Sequence, residues 1–485
     1  MEEIIYMHHR FCGKYVAMAA AVSCLMGTAP FTVYGKETEA KKDQVNISWW
    51  ICPAGDWCDG AKVQELVDGF EKEHPDIAVS FRILDEDSGE HEIAEALGAA
   101  EAADDQDQRA AKDSADDQNM EDAQAPDVVL GAPEYLVTEW GNDGLMVELD
   151  DLWDEDIISE FRPEMTDAAI SREGIWYAVP LYRDLYTMAV NYDMFEEAGV
   201  LQYMNEEVHT WKDSGFIDSV LRIHDTQVQK GDEKGVVGKV YCKDQNGQRA
   251  FMCFVENFFK TGLIDDYRSA YQLGKGGIRN TFITLRKLFG KGIEFDPDMD
   301  GDAENEAFIN GDLFMTFNWS ASKQRKAEGQ TNFRVFPMMY PNSKNVPTLT
   351  GPIGALGAVK SGDKEKEEAA VSFIRYMMTD EEAYTDAVLM SGCFPARRRI
   401  GGHELNNMYG SDEVMRLYEV FNDYYEEYAP TMELYSELDA AWPGMLRQIA
   451  QGAKIKDVLN DLNEKLNGEL LDKYDIHPIQ IDEEE

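Results

Sequence analysis

Three places in the chain combine flat aromatic faces with carboxylates. That pairing suits a ring bearing hydroxyls: the aromatic covers the C–H face and the acid accepts the hydroxyl hydrogens. The first is Trp49-Trp50, followed by Asp56, Trp57 and Asp59. Alternation along a strand turns one of Trp49 and Trp50 inward and the other outward, so one of the two is ordinary core and Trp50 is carried as the candidate. Trp57, between Cys52 and Cys58, is harder to explain as core, and Asp59 beside it could accept hydroxyl hydrogens. The second place is Asp184, in Tyr182-Arg183-Asp184-Leu185-Tyr186, whose plainer reading is a surface pair with Arg183. The third is Trp319, just past the apolar run Leu313–Phe317, where an exposed strand end is a poor place to bury indole. Gly351 and Gly354 suit close backbone approach to a ligand. Tyr435 and Trp442 complete the set, although an aromatic among C-terminal helices is more often packing.

Other chemistry finds less support. Asp296-x-Asp298-x-Asp300-Gly301 resembles the start of a calcium loop, but Ala307 stands where the closing bidentate Glu belongs. The alternative is a helix start, with Glu304 and Glu306 near its positive end. No metal site and no cofactor is expected. The chain contains no H-E-x-x-H, no G-x-S-x-G and no G-x-x-x-x-G-K-[ST]. With 93 acidic residues, a chance carboxylate pair argues nothing for a hydrolase.

Those 93 acids stand against 45 basic residues, a formal charge of −48 over 485 residues. Such a surface repels phosphate backbones, so nucleic acid is not an expected partner. The length implies at least two lobes, each with its own core, and 44% apolar residues suffice to fill them. Arg10 and Lys14 precede an apolar run, Tyr15 to Met26, that reads as an export signal. Two outcomes stay open. Ala21-Val22-Ser23-Cys24 is close to a lipobox, and acylation of Cys24 would leave Leu25 to Lys42 as a tether; cleavage after Gly35 would release the chain. The protein is expected outside the cell in either case, lipid-anchored in the first. Export permits disulfides. Cys52 and Cys58 could close a small loop, Cys242 and Cys253 flank a turn as a hairpin would present them, and Cys393 is left over.

The elements that must position these residues read as α/β throughout. Residues 44–51 and 77–84 are strands by alternation, with a helix between them carrying Val63, Leu66, Val67 and Phe70 at helical spacing. A β–α–β start predicts a parallel pair with a helix packed on one face. Asp127 to Gly131 is a third strand. Between them, roughly 100–125 is so rich in Ala, Asp, Glu and Gln that it reads as a disordered acidic insertion. Further strands are expected at 313–317, 333–339 and 355–359, with helices dominating the rest, including the last 60 residues.

The sequence resembles the extracellular solute-binding proteins of carbohydrate uptake, similar in architecture to maltose-binding protein. The matching pieces run in order along most of the chain. They include Phe70-Glu71-Lys72-Glu73-His74-Pro75-Asp76-Ile77, Ala125-Pro126-Asp127-Val128-Val129 and Gly174-Ile175-Trp176-Tyr177-Ala178-Val179-Pro180. Later come Asn191-Tyr192-Asp193-Met194-Phe195, Ala307-Phe308-Ile309-Asn310-Gly311-Asp312 and Cys393-Phe394-Pro395-Ala396-Arg397. The resemblance implies a two-lobed periplasmic-binding-protein-like fold with hinge crossovers and a ligand cleft between the lobes. It implies a signal or tether over 1–35, one lobe from 44–186 and 353–396, the other from 187–352 and 397–475, and an acidic tail at 476–485. It makes Asp184 a hinge-region carboxylate and Trp319 a ring-stacking face. The implied function is capture of a sugar or oligosaccharide by lobe closure, as a monomer without catalysis, for an ABC transporter permease. Rival readings are a secreted glycoside-active enzyme and a surface binding or sensing protein with no transporter.

Overall fold

A computed structural model describes residues 44–85, 89–104, 125–232, 234–241, 243–405, 408–410, 412–422, 424–425 and 432–479, with side chains omitted at 99–104, 245 and 422. The export signal, Cys24, the heart of the acidic insertion, Cys242 and the end of the tail lie outside the described residues.

The first strand, Val45–Ile51, pairs in parallel with Ile77–Ile83 on one side and with Val128–Gly131 on the other, and the helix Gly60–Glu73 crosses between the first two. Its four apolar residues at helical spacing are all buried. Ile353–Ala358 then lies antiparallel to Val128–Gly131, and Val179–Arg183 and Phe394–Pro395 follow, completing six strands. Val128-Val129-Leu130 is buried on both faces, the pattern of a strand covered by helices above and below. A second, three-stranded sheet centres on Thr187–Asn191, flanked by Met315–Trp319 and Val335–Met338, both antiparallel to it.

Each sheet carries its own apolar core. One gathers residues from Ile47 to Tyr182 with others from Ile353 to Ile400; the second gathers Leu185 to Leu349 with Phe394 and Val414 to Ile476. The chain therefore passes repeatedly between two lobes. The first passage joins Val179–Arg183 directly to Thr187–Asn191. It runs beside the return passage through Gly351: Asp184 N donates to Pro352 O at 2.9 Å, and Tyr186 N to Thr350 O at 2.9 Å. The strands are so close that a Cβ on Gly351 would sit 2.1 Å from the Asp184 carbonyl oxygen. Gly351 thus serves backbone approach to the neighbouring crossover, where a ligand had been expected.

Several sequence expectations are corrected here. Trp49 and Trp50 are both buried: Phe373 of the helix Lys364–Thr379 packs on Trp49, and the Arg82 side chain of the neighbouring strand covers Trp50. Trp57 is core: the short turn Gly55–Cys58 tucks it edge-on against Trp49, ring centres 5.6 Å apart. Gly55 allows this, its positive φ bringing the turn onto the end of the helix Glu381–Ser391. Cys52 and Cys58 are free thiols, with Cys58 Sγ donating to Gly55 O at 3.3 Å. Cys253 lies buried inside the helix Gln245–Phe258, so the segment after Asp244 is helical and no hairpin forms.

A methyl group at Gly351 must push the two crossovers apart. Gly351→Ala is expected to lose about 1–3 kcal/mol in denaturant unfolding. Gly98→Ala, within the helix Gly89–Asp104 and facing open space, should gain up to ~1 kcal/mol. Equal effects at the two positions would contradict the crossover packing.

Candidate functional site

The strand Val128–Gly131 ends at the short helix Pro133–Leu136, which carries Glu134 and Tyr135. Both therefore stand beyond the carboxyl end of a central strand, where open α/β sheets present ligand-contacting groups. Facing them from the second lobe are the helices Gln245–Phe258 and Tyr435–Ala450. Asp244 caps the first of these, accepting from Gly247 N at 2.7 Å, and so fixes where Gln248 and Arg249 project.

Arg249 joins the lobes. Its Nη1 donates to Glu134 Oε1 of the first lobe, while Nε and Nη2 donate to Asp439 Oδ2 of the second at 3.0 and 2.7 Å. Gln248 Nε2 donates to Asp439 O and Oδ1 at 2.8 and 3.0 Å, holding that carboxylate from the side. Glu134, Arg249 and Asp439 are all buried. The guanidinium also lies 5.6 Å from the Tyr435 ring centre and 6.0 Å from that of Tyr135. Tyr135 packs against Trp140 at 5.5 Å. Tyr186, on the crossover, donates to Asn246 Oδ1 at 3.3 Å. At the rim, Arg172 of the first lobe donates to both carboxylate oxygens of Glu433 at 3.2 Å. The arrangement brings charged and amide hydrogen-bonding groups together with tyrosine faces where the two lobes meet.

Electrostatics follow from burial. Glu90, at the start of the helix Gly89–Asp104, has its carboxyl pushed up to about 8, chiefly by burial. Arg249 pulls that value down, and Glu134 and Asp439 push it up. Glu139 rises to about 7, again mainly through burial, although a hydrogen bond with Ser436 of the opposite lobe opposes the rise. Burial also lifts the Tyr135 hydroxyl far above its ordinary value.

Of the residues singled out in the sequence, Tyr435 reaches this cluster, its hydroxyl turned toward Met252 sulfur at 3.5 Å. Asp184 sits in the hinge, accepting from its neighbour Leu185 N at 2.8 Å, with Ser320 and Cys393 as further hydrogen-bond partners. Burial raises its carboxyl despite those bonds. Trp319 is fully buried and meets Phe308 edge-on at 5.2 Å, with Nε1 donating to Gln324 Oε1 at 2.9 Å. Its strand ends inside the second lobe, so the indole has a core to enter and the expected exposed face is absent. Trp442 likewise packs beside Phe282, ring centres 5.9 Å apart. Trp50 is covered by the Arg82 guanidinium at 4.6 Å from its ring centre. Asp59 caps the helix Gly60–Glu73, accepting from Ala61 N at 3.0 Å. In the acidic loop, Lys239 and Lys243 pair with Asp296 and Asp300 at 2.8 Å, and Asp300 accepts from Ala303 N as a helix cap. No three His, Cys, Asp or Glu residues among the described residues form a metal-binding group.

The sequence reading missed Glu134, Arg249 and Asp439. A signal existed for the last: Tyr435, Leu438, Asp439 and Trp442 share one helical stripe, so Asp439 is an acid on an otherwise apolar face. Arg249 was hidden because the sequence reads as a turn between Cys242 and Cys253, whereas a helix begins at Gln245.

Two α/β lobes strung on crossing strands, with polar groups converging between them, define a hinged clamp for small solutes. The chain belongs to the family of bacterial extracellular solute-binding proteins, whose profile matches residues 65–401. Among solved structures, an ABC substrate-binding protein from Listeria monocytogenes in complex with cycloalternan superposes with a TM-score of 0.65 at 15% identity, over 88% of this chain and 99% of that one. The GacH receptor of Streptomyces glaucescens, solved unliganded and with acarbose, gives 0.62 at 16%, over 88% and 99%. UgpB from Mycobacterium tuberculosis, in complex with glycerophosphocholine, also gives 0.62 at 16%, over 88% and 99%. Comparison of the sequence with curated proteins finds no match.

Glu90 and Glu139 are joined by two more buried carboxyls lifted to about 7, Glu256 and Glu304, all from an ordinary value of 4.5. A raised carboxyl means that the folded state holds its proton longer than the unfolded state does. The stabilisation is complete below pH 4.5 and is lost as pH rises through 7 to 8. Thermal melts from pH 5 to 9 should therefore show the melting temperature falling across that window, and Glu90→Gln should flatten the upper part. A profile that rises with pH would contradict the assignment.

Proposed function

We propose that this protein captures a sugar or oligosaccharide reversibly between its lobes and delivers it to an ABC transporter permease, without chemical turnover. The observation carrying this reading is the interlobe cluster of Glu134, Tyr135, Arg249, Tyr435 and Asp439, which supplies hydrogen-bonding charges beside tyrosine faces. Family membership and the sugar-bound structures of similar fold support it. In this reading the lobes comprise 44–186 with 353–396 and 187–352 with 397–475. Asp184 orients the hinge, and the protein acts as an extracellular monomer, lipid-anchored if Cys24 is acylated. No helix among the described residues is long and apolar enough to cross a membrane.

Ligand contacts with both lobes favour the closed arrangement by their differential affinity for it. Loss of the Tyr435 ring removes a face buried at the cluster, so Tyr435→Ala is expected to weaken binding by about 1–3 kcal/mol, tenfold or more. Trp319→Ala should lower the stability of the ligand-free protein instead. Calorimetric titration with maltodextrins and cyclic glucans, beside ligand-free melts, reads both. Release of shortened sugars would overturn the non-catalytic reading. Saturable binding of amino acids or glycerophosphodiesters with none of sugars would overturn the ligand class.

A further inference from the structure

A second polar pocket lies away from the interlobe cluster and shares no residue with it. It encloses about 320 Å³ beside the third passage between lobes, at Phe394–Pro395. One wall is first-lobe: Arg162, just ahead of the helix Pro163–Ala169, is tied to this passage by its backbone N donating to Ala396 O at 3.2 Å. The other wall is the helix Glu413–Asn422, whose Val414, Met415, Tyr418 and Phe421 belong to the second core. Arg416 and Glu419 face the pocket from that helix.

The pocket wall carries two guanidiniums, Arg162 and Arg416, and two carboxylates, Asp412 and Glu419. Glu164, which acts on Arg162, is shared with Arg183 at 3.7 Å. Asp412 is taken by Arg325 at 3.1 Å and by Met415 N at 3.0 Å. Arg162 Nε is buried with no hydrogen-bond partner among the described residues. Arg398, whose guanidinium caps Phe161 O at 3.1 and 3.3 Å, adds like charge. Burial depresses the proton affinity of Arg162; Glu164 opposes that shift and Arg398 adds to it. Glu419, one helical turn beyond Arg416, is the remaining acid of the wall.

We propose that this pocket binds a small oxyanion, of phosphate or carboxylate chemistry, clamped between Arg162 of one lobe and Arg416 of the other. The anion supplies the acceptor that Arg162 Nε lacks, and a guanidinium recognises such planar or tetrahedral oxygens by paired hydrogen bonds. Because Arg162 lies just ahead of the first-lobe helix Pro163–Ala169 and Arg416 lies on a helix packed into the second core, the anion bridges the lobes beside the hinge. It acts as an effector of closure, separate from the solute held in the cleft.

The test uses the full chain and inorganic phosphate at constant ionic strength, with sodium chloride as the balancing salt. Wild type should show saturable calorimetric binding and a saturable rise in melting temperature. Arg162→Gln and Arg416→Gln should each raise the half-saturating concentration at least tenfold. Citrate in place of phosphate separates carboxylate from phosphate recognition. Phosphate also stabilises proteins by exclusion from their surface, which gives an unsaturable rise independent of either arginine. An unsaturable rise equal in all three proteins overturns the proposal. Arg416 is exposed, so its variant should fold even if Arg162→Gln does not. Sugar titration of Arg416→Gln without phosphate distinguishes the two sites. Retained sugar binding with lost phosphate binding supports a separate pocket, and loss of both overturns the separation.

Discussion

The arginine held between lobes is the constraint around which the rest of the molecule is arranged. Arg249 takes Asp439 from its own lobe and Glu134 from the other, so one guanidinium fixes both the second-lobe helices and the position of the first lobe against them. A buried guanidinium without acceptors would carry a large desolvation cost, and breaking a buried pair typically costs about 3–5 kcal/mol. The two carboxylates and Gln248 are therefore as necessary to the architecture as the arginine. A pair with such a cost when broken favours the arrangement in which the two lobes meet at Arg249.

That geometry depends on the hinge. The crossovers at 184–186 and 350–352 run side by side, hydrogen-bonded along their length, with Gly351 leaving no room for a side chain. Asp184, with its acceptors occupied by Leu185, Ser320 and Cys393, keeps this passage in register. The hinge is thus stiff where the strands pair and polar where they end.

The distribution of charge separates the regions of the molecule. In the interlobe cluster, the carboxyls of Glu90, Glu134 and Asp439 outnumber the Arg249 guanidinium, and burial, with Glu134 and Asp439 adding to it, pushes the Glu90 carboxyl up to about 8. Beside the third crossover, Arg162 and Arg416 stand with Asp412 and Glu419 around one pocket.

Much of the architecture was legible in residue order. The helix between the first two strands showed itself through Val63, Leu66, Val67 and Phe70, and the parallel strand at Val128–Gly131 through its unbroken apolar run, because periodicity reports burial directly. The family resemblance rested on segments such as Gly174–Pro180 and Ala307–Asp312, whose order survives where identity does not. What the sequence could not settle was which aromatics face the space between lobes. Trp57, Trp319 and Trp442 are alike on paper, yet each enters a core, because burial of a strand end or turn depends on what packs over it from distant chain: Trp49 and Glu381–Ser391 over Trp57, and Phe308 over Trp319. The Glu134–Arg249–Asp439 bridge joins residues more than a hundred positions apart. Local pattern shows that a polar residue is buried, as it does for Asp439, but the identity of its partner is decided only when the two lobes meet.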